Sequence, residues 1–194
     1  MLLYLVRHGQ SEGNVIQYFH GQTDYPLTEL GHQQAREVAE KLCDVSFTRC
    51  CASPLQRAWH TAQACLTHHP AITAEVCPDL KEHFVGDIEN LPWDEVERRY
   101  PGLPDRFYKN WFHTVPPGGE DPQDMLKRVS RCLDEIIARG EDTLVVSHFG
   151  TMSLIAVHLG VMTEAEVIAT GFSQGCYTAI EITGDGAKLL ALNR

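Results

Sequence analysis

Apolar positions along this chain repeat with two different periods, and the places where the period changes mark its elements. Residues 2–6 form an apolar run too short for a helix and rich in β-formers, which predicts a buried strand ending at Arg7-His8-Gly9. A second run of this kind, 143–147, ends in the same way at Ser147-His148-Phe149-Gly150. Ala35, Val38, Ala39 and Leu42 recur at i, i+3, i+4 and i+7, predicting a helix with Thr28 as its N-cap. A strand over 49–52 precedes a helix that Ser53-Pro54 is expected to cap, with the proline at its first position and Ala58, Thr61, Ala62 and Cys65 buried. Arg57 falls in the first turn of that helix, where a side chain leans back toward the sheet edge.

Residues 10–25 are polar and carry glycines, and read as a loop with a short helical turn. A short strand over 72–76 leads to Leu80-Lys81-Glu82-His83. The stretch 87–119 differs in character. It sets Trp93, Tyr100, Phe107, Tyr108, Trp111 and Phe112 among prolines and arginines, predicting a small helical lid insertion within one domain spanning 1–194. Asp121-Pro122 caps a long helix burying Met125, Val129, Cys132, Leu133 and Ile136. Residues 152–159 are apolar nearly all round and predict a buried helix, and Thr163-Glu164-Ala165-Glu166 fits a capping box. Strands over 177–182 and 188–192 flank Gly184-Asp185-Gly186 as a hairpin.

Strands alternating with helices predict an α/β fold: a three-layer α/β/α sandwich with a mostly parallel central sheet and an antiparallel pair late in the chain. Such sheets collect ligands beyond the carboxyl ends of their strands. The two histidine-bearing strand ends therefore suggest one shared site.

Composition narrows the partner. With 194 residues, 43% of them hydrophobic and 22% charged, the chain can bury a proper core. A formal net charge of −10 argues against nucleic acid or an anionic membrane surface. A small molecule remains, anionic if cationic side chains gather locally. No apolar run approaches the roughly 20 residues of a membrane span, and the N-terminal run lacks the basic flank of a signal peptide. The seven cysteines are odd in number and irregularly spaced, with no C-x-x-C pair, as expected of a reduced, cytoplasmic protein.

Arg7, His8, Arg57, Glu82 and His148 together suit metal-independent phosphoryl transfer. A neutral imidazole is a nucleophile toward phosphorus, and two guanidiniums match phosphoryl oxygens bidentately. A second imidazole, protonated, offsets developing negative charge, and a carboxylic acid protonates the departing oxygen and later deprotonates water. The helix N-terminus after His148 would aim backbone N–H groups at an anion. Each residue also has an ordinary structural role. A strand-end histidine serves equally as a hydrogen-bonded core residue, a first-turn arginine as a solvated charge, and a single glutamate as plain surface. On residue chemistry alone the two readings balance.

The order of motifs tips that balance. Arg7-His8-Gly9 after an N-terminal strand resembles the signature of the histidine phosphatase superfamily, with its phosphoglycerate-mutase-like fold. The likeness continues through Ser11 and Asn14, Gly21-Gln22-Thr23-Asp24-Tyr25-Pro26-Leu27-Thr28, Gly31 and Ala35, Ser53-Pro54-Leu55-Gln56-Arg57-Ala58, Leu80-Lys81-Glu82 with Gly86, Gly119-Glu120 and Ser147-His148. The resemblance implies that His8 is phosphorylated, that Arg7, Arg57 and His148 hold the phosphoryl group, and that Glu82 is the proton donor. It further implies that Asn14 and Gln22 line the phosphate pocket, with Phe149 beside it, and that no metal or cofactor is required. The other eight histidines are expected at the surface or in packing.

The stretches 80–89, 110–113 and 174–180 are similar to the α-ribazole-5′-phosphate phosphatases of cobalamin nucleotide-loop assembly. That likeness implies a phosphomonoester hydrolase whose aromatic insertion accommodates a flat ring. Two departures, Ile88 in place of tryptophan and Phe149-Gly150-Thr151 in place of a Gly-Gly pair, are expected beside the pocket. The alternatives are a mutase, a sugar (bis)phosphate phosphatase, or a non-catalytic binding relative. Nothing in the pattern speaks to oligomeric state.

Overall fold

The computed structural model describes residues 1–16 and 18–194. Gln17, within the loop expected over 10–25, lies outside the described residues. The strands are β1 (Leu2–Arg7), β2 (Arg49–Ala52), β3 (Ala74–Val76), β4 (Thr143–Ser147), β5 (Tyr177–Thr183) and β6 (Gly186–Ala191). They form one sheet in the order β3-β2-β4-β1-β5-β6. Neighbours from β3 to β1 run parallel, and β5 and β6 close the sheet antiparallel.

Side chains alternate across the sheet, and this builds the layers. Leu3 and Leu5 of β1 and Val145 of β4 face α6 (Pro122–Ala138) and α7 (Phe149–His158), packing on Met125, Val129, Leu133 and Ile155. Tyr4, Val6, Leu144 and Val146 face the opposite way, onto α2 (Glu29–Leu42) and α3 (Gln56–Cys65), where Val38, Ala58 and Ala62 meet them. A strand buried on both faces reads as a continuous apolar run, which is why β1 and β4 are visible as such. Each fully buried leucine contributes about 1.5–3 kcal/mol to this core.

Local capping behaves as its chemistry demands. Thr28 Oγ1 accepts from the Gly31 N–H at 3.0 Å, and Asp121 Oδ1 from the Gln123 N–H at 2.8 Å. Thr163 and Glu166 form the reciprocal box at the start of α8 (Glu164–Thr170). Several boundaries differ from expectation: β3 starts at Ala74 instead of 72, β6 spans Gly186–Ala191 instead of 188–192, and two helix starts move. The helix expected to start at Pro54 begins at Gln56 with Leu55 as N-cap, because the Ser53 hydroxyl takes the Leu55 N–H at 3.3 Å in a turn ahead of the helix while also meeting His148 Nε2 at 2.8 Å. The helix expected over 152–159 begins at Phe149, directly after β4, with His148 as its N-cap.

A short helix, α1 (Glu12–Val15), interrupts the loop after β1. Between β3 and α6 lie α4 (Trp93–Arg99), α5 (Leu103–Asn110) and a 3₁₀ turn at Trp111–His113. This stretch packs around a small core of its own, built from Phe19, Val85, Ile88, Val96 and Leu103. Among the described residues no helix is long and apolar enough to cross a membrane.

Candidate active site

The three central parallel strands end side by side. Arg7 is in register with Ser147, the His8 N–H donates to the Ser147 carbonyl at 3.0 Å, and the Ser53 N–H donates to the Val146 carbonyl at 3.0 Å. Register alone therefore brings His8, His148 and Ser53 to one edge, with the two imidazoles 5.1 Å apart between ring centroids. His8 is 4% exposed and His148 fully buried.

The tautomer of His8 follows from its partners. Nδ1 lies 2.7 Å from the Gly9 carbonyl, which can only accept, so Nδ1 carries the proton. Nε2 is left with its lone pair, and the Arg57 Nε–H points at it from 3.3 Å. Burial first, then the positive charges of Arg57 and Arg7, push the His8 pKa well below the usual histidine value. His8 thus presents a neutral, unprotonated nitrogen among cations.

Arg57 is 1% exposed and anchored on both terminal nitrogens, Nη1 to the Thr23 carbonyl at 2.9 Å and Nη2 to that of Gly21 at 2.7 Å. Those carbonyls are aimed by Glu89. Its carboxylate takes the Gln22 N–H at 2.8 Å, the Gly21 N–H at 3.1 Å and the Thr23 hydroxyl at 2.6 Å, turning the loop's N–H groups one way and its carbonyls the other. Arg7 donates from Nη1 to the Phe172 carbonyl at 2.8 Å and lies 5.5 Å from the centroid of the Phe149 ring, with its Nε buried and unpartnered. His148 Nε2 meets Ser53 Oγ at 2.8 Å, and its Nδ1 is buried without a partner. Burial, Arg57, His8 and Arg7 all push the His148 pKa well down. The second imidazole, expected to act in its protonated form, is thus disfavoured from carrying its proton while the pocket is empty, by burial first and then by its cationic neighbours.

Glu82 closes the site. Its Oε1 accepts from the His83 N–H at 2.9 Å and its Oε2 from the Gly150 N–H at 3.0 Å. The N-terminus of α7 was expected to aim its N–H groups at a bound anion, but its Gly150 N–H goes to the Glu82 carboxylate, the nearest anion the chain itself supplies. A Cβ at position 150 would fall on Glu82 Oε1, so any side chain there would push that carboxylate aside. The backbone of Glu82 is held by Arg128, which donates to the carbonyls of Asp79 at 2.6 Å, Lys81 at 2.8 Å and Glu82 at 3.0 Å while forking onto the Glu120 carboxylate at 2.6 and 2.8 Å.

Beyond Glu82 opens a cleft of about 300 Å³, walled mainly by His83, Trp93, Phe107, Tyr108, Trp111 and Phe149. The pocket edge is cationic and the cleft apolar. The pair suits an anionic group joined to a flat, weakly polar body.

A family model of the histidine phosphatase superfamily (branch 1) matches residues 3–194. The chain belongs to that superfamily. It is 33% identical to the adenosylcobalamin/alpha-ribazole phosphatase of Salmonella typhimurium, covering 100% of this chain and 96% of the relative. It is 32% identical to a 2,3-bisphosphoglycerate-dependent phosphoglycerate mutase of Nitrobacter winogradskyi, covering 95% and 93%. Among solved structures, the alpha-ribazole phosphatase of Shigella flexneri matches with a TM-score of 0.87 at 33% identity, over 100% of this chain and 96% of that one.

The positions that the superfamily motifs single out divide into two groups. Arg7, His8, Arg57, Glu82 and His148 converge on one pocket. Gln22 sits at its edge with Nε2 donating to the Glu82 carbonyl at 3.0 Å, and Asn14 lies farther out, its Oδ1 accepting from the Ser11 N–H at 2.9 Å and from Gln174 Nε2 at 2.9 Å. Phe149 lines the cleft. Of the two departures, only Phe149 borders the cleft. Ile88 is fully buried in the small core with Phe19 and Val96, away from where it was expected. His20 and His83, expected as surface or packing residues, both line the cleft. Glu89, Arg128 and Ser53 hold the pocket in shape, and sequence reasoning assigns them no part in it. Ser53 and Glu89 fall within stretches that carry the family likeness, which marks the positions without their role, and Arg128 follows the Gly119-Glu120 motif.

Proposed function

We propose that this chain hydrolyses phosphomonoesters through a phosphohistidine on His8, and that α-ribazole 5′-phosphate is its substrate. The observation that carries the reading is the His8 tautomer. The Gly9 carbonyl holds the proton on Nδ1, and burial beside two arginines keeps Nε2 unprotonated.

In the proposed reaction Nε2 attacks phosphorus in line with the ester bond. The N–P bond forms as the P–O bond to the alcohol breaks, and Glu82, entering protonated, gives its proton to the departing oxygen. Arg7, Arg57 and the Nδ1 of His148 surround the transferring oxygens. A dianion set among them favours the protonated form of His148 that burial and the neighbouring cations disfavour in the empty pocket. Water then attacks the phosphohistidine, Glu82 takes its proton, the P–N bond breaks and inorganic phosphate leaves. No step asks for a metal. The apolar cleft next to Glu82 supports a flat aromatic leaving group and is a poor match for the carboxylate of a phosphoglycerate, although a mutase stands among the relatives. Seven free cysteines support a cytoplasmic setting for the reaction.

The test is phosphate release from α-ribazole 5′-phosphate, phosphoglycerates, fructose 2,6-bisphosphate and nucleotides, with His8→Ala as the blank. The expected result is a kcat/KM highest for α-ribazole 5′-phosphate and a loss on the order of 10⁴-fold or more in the variant. Interconversion of phosphoglycerates outpacing phosphate release would replace the phosphatase reading with a mutase.

A further inference from the structure

The phosphoryl pocket and the apolar cleft meet at one ring. Phe149 is half-buried in the first turn of α7, directly after His148, and lines the cleft together with Glu82, Trp111 and Gly150. Its centroid lies 5.5 Å from the Arg7 guanidinium, within the range at which a cation is attracted to an aromatic ring. Among the described residues, no other phenylalanine, tyrosine or tryptophan of the cleft carries a cationic side chain of the pocket. A ring that faces the leaving alcohol is therefore also the ring that Arg7 lies against.

That ring is braced. A Cβ on Gly171 would come within 3.4 Å of Phe149 Cε2, so the backbone there abuts the ring, and the next residue, Phe172, accepts from Arg7 Nη1 through its carbonyl at 2.8 Å. Trp111 stands 6.4 Å away between centroids at 55°, a tilted aromatic contact. One short stretch of backbone thus holds both Arg7 and Phe149. The ring is registered to a side chain that would grip the phosphoryl group.

Glu82 gives the arrangement a direction. The departing oxygen has to reach the Glu82 carboxyl, which lines the same cleft and is held by the N–H of Gly150, the residue after Phe149. An alcohol that extends from Glu82 into the cleft runs along the wall that Phe149 helps to build. A flat ring there packs on Phe149, offset or edge to face, burying apolar surface and adding an aromatic contact. An alcohol without a ring leaves that surface to water. Position 149 also belongs to the stretch where the chain departs from the Gly-Gly pair of its superfamily likeness. A glycine would give neither Arg7 nor a bound ring a surface to meet.

We propose that Phe149 is a specificity-determining residue, selecting esters whose leaving alcohol carries a flat aromatic ring by packing that ring in register with the phosphoryl group at Arg7. This rests on the phosphatase reading for the reaction. It deepens that reading by assigning the preference for an aromatic alcohol to one side chain.

The experiment uses two esters with the same phosphate and the same primary alkoxide: benzimidazole riboside 5′-phosphate, and methyl riboside 5-phosphate, which lacks the aromatic ring. Phosphate release is measured in the unaltered protein, in Phe149→Leu, which keeps apolar bulk without a π-face, and in Phe149→Tyr, which keeps the ring. In the unaltered protein kcat/KM should favour the ring-bearing ester on the order of 10²-fold. Phe149→Leu should cut that ratio on the order of 10-fold, and Phe149→Tyr should hold it. A purely structural role at the start of α7, or a role confined to Arg7, would lower both esters alike and leave the ratio standing, and that result overturns the proposal. So does equal use of the two esters by the unaltered protein, which needs no variant to fold. If neither ester releases phosphate in a His8-dependent way, the phosphatase reading fails by itself. Calorimetric binding of the two dephosphorylated ribosides then decides the ring reading separately. A preference for the ring-bearing riboside that Phe149→Leu reduces supports it, and a preference left intact, or none, overturns it.

Discussion

At the scale of single residues, the site is built from groups whose protonation is set by what surrounds them. His8 is the sharpest case. Its reactive form is the neutral one, and its pKa in the folded protein lies well below 6.5. As pH falls through 6.5 an ordinary solvated histidine would gain its proton and lose its nucleophilicity, whereas His8 keeps its lone pair. The kcat/KM profile, corrected for ionisation of the substrate, should therefore show no acid limb near pH 6.5, the loss of His8 nucleophilicity coming only at distinctly lower pH. An acid limb centred near 6.5 would mean that His8 is not desolvated as described. Glu89 offers a second test at this scale. Glu89→Gln keeps the size but loses the charge that gathers the Gly21 and Gln22 N–H groups and the Thr23 hydroxyl, so the carbonyls that anchor Arg57 loosen. Inhibition constants for inorganic phosphate should rise, with kcat/KM falling on the order of 10-fold or more.

At the scale of elements, local signals are legible in the sequence and long-range ones are not. Thr28, Asp121 and the Thr163–Glu166 pair act on N–H groups two or three residues away, and each helix start they mark is where the sequence indicates. Ser53 has the composition of a cap, yet its hydroxyl serves His148, 95 positions later, and the helix begins beyond it. Arg128 and Glu89 hold backbone groups 46 to 68 positions distant, and residue type alone does not distinguish either from a surface charge. His83 is illegible for the same reason, because its place is set by the Glu120 carbonyl and by a cleft that only the fold assembles. The five pocket residues are legible because two strand ends carry Arg7, His8 and His148 and family motifs frame Arg57 and Glu82. The start of α7 supplies the prediction at this scale. Gly150→Ala leaves helix propensity improved but drives a methyl into Glu82 Oε1, displacing the proton donor. Turnover of an alkyl phosphate should fall on the order of 10²-fold, and that of p-nitrophenyl phosphate much less, since its leaving group needs no proton. Equal losses would disconnect Glu82 from leaving-group departure.

At the scale of the whole molecule, function is in tension with stability. Two histidines are held neutral inside the protein, with pKa values well below that of the unfolded chain. Below pH 6.5 the unfolded chain binds protons that the folded one refuses. The contribution is fully present above 6.5 and is lost progressively as pH falls toward the folded-state values. Each pH unit in that window costs up to about 1.4 kcal/mol per histidine. Urea midpoints should drop between pH 6.5 and 5, and a variant carrying both His8→Asn and His148→Asn should lose much of that slope.

The order of strands in the sheet has a consequence in time. β1 carries the nucleophile and lies between β4 and β5, with Leu3 opposite Thr143 on one side and Ile180 on the other. Both neighbours come late in the chain, so no local pairing can hold β1 while the intervening residues are made or refolded. The α2 and α3 helices can form early and still leave His8 without a pocket. In a refolding time course, helical signal should thus return ahead of catalysis, and the enzyme should switch on only when the last strands close around its earliest one.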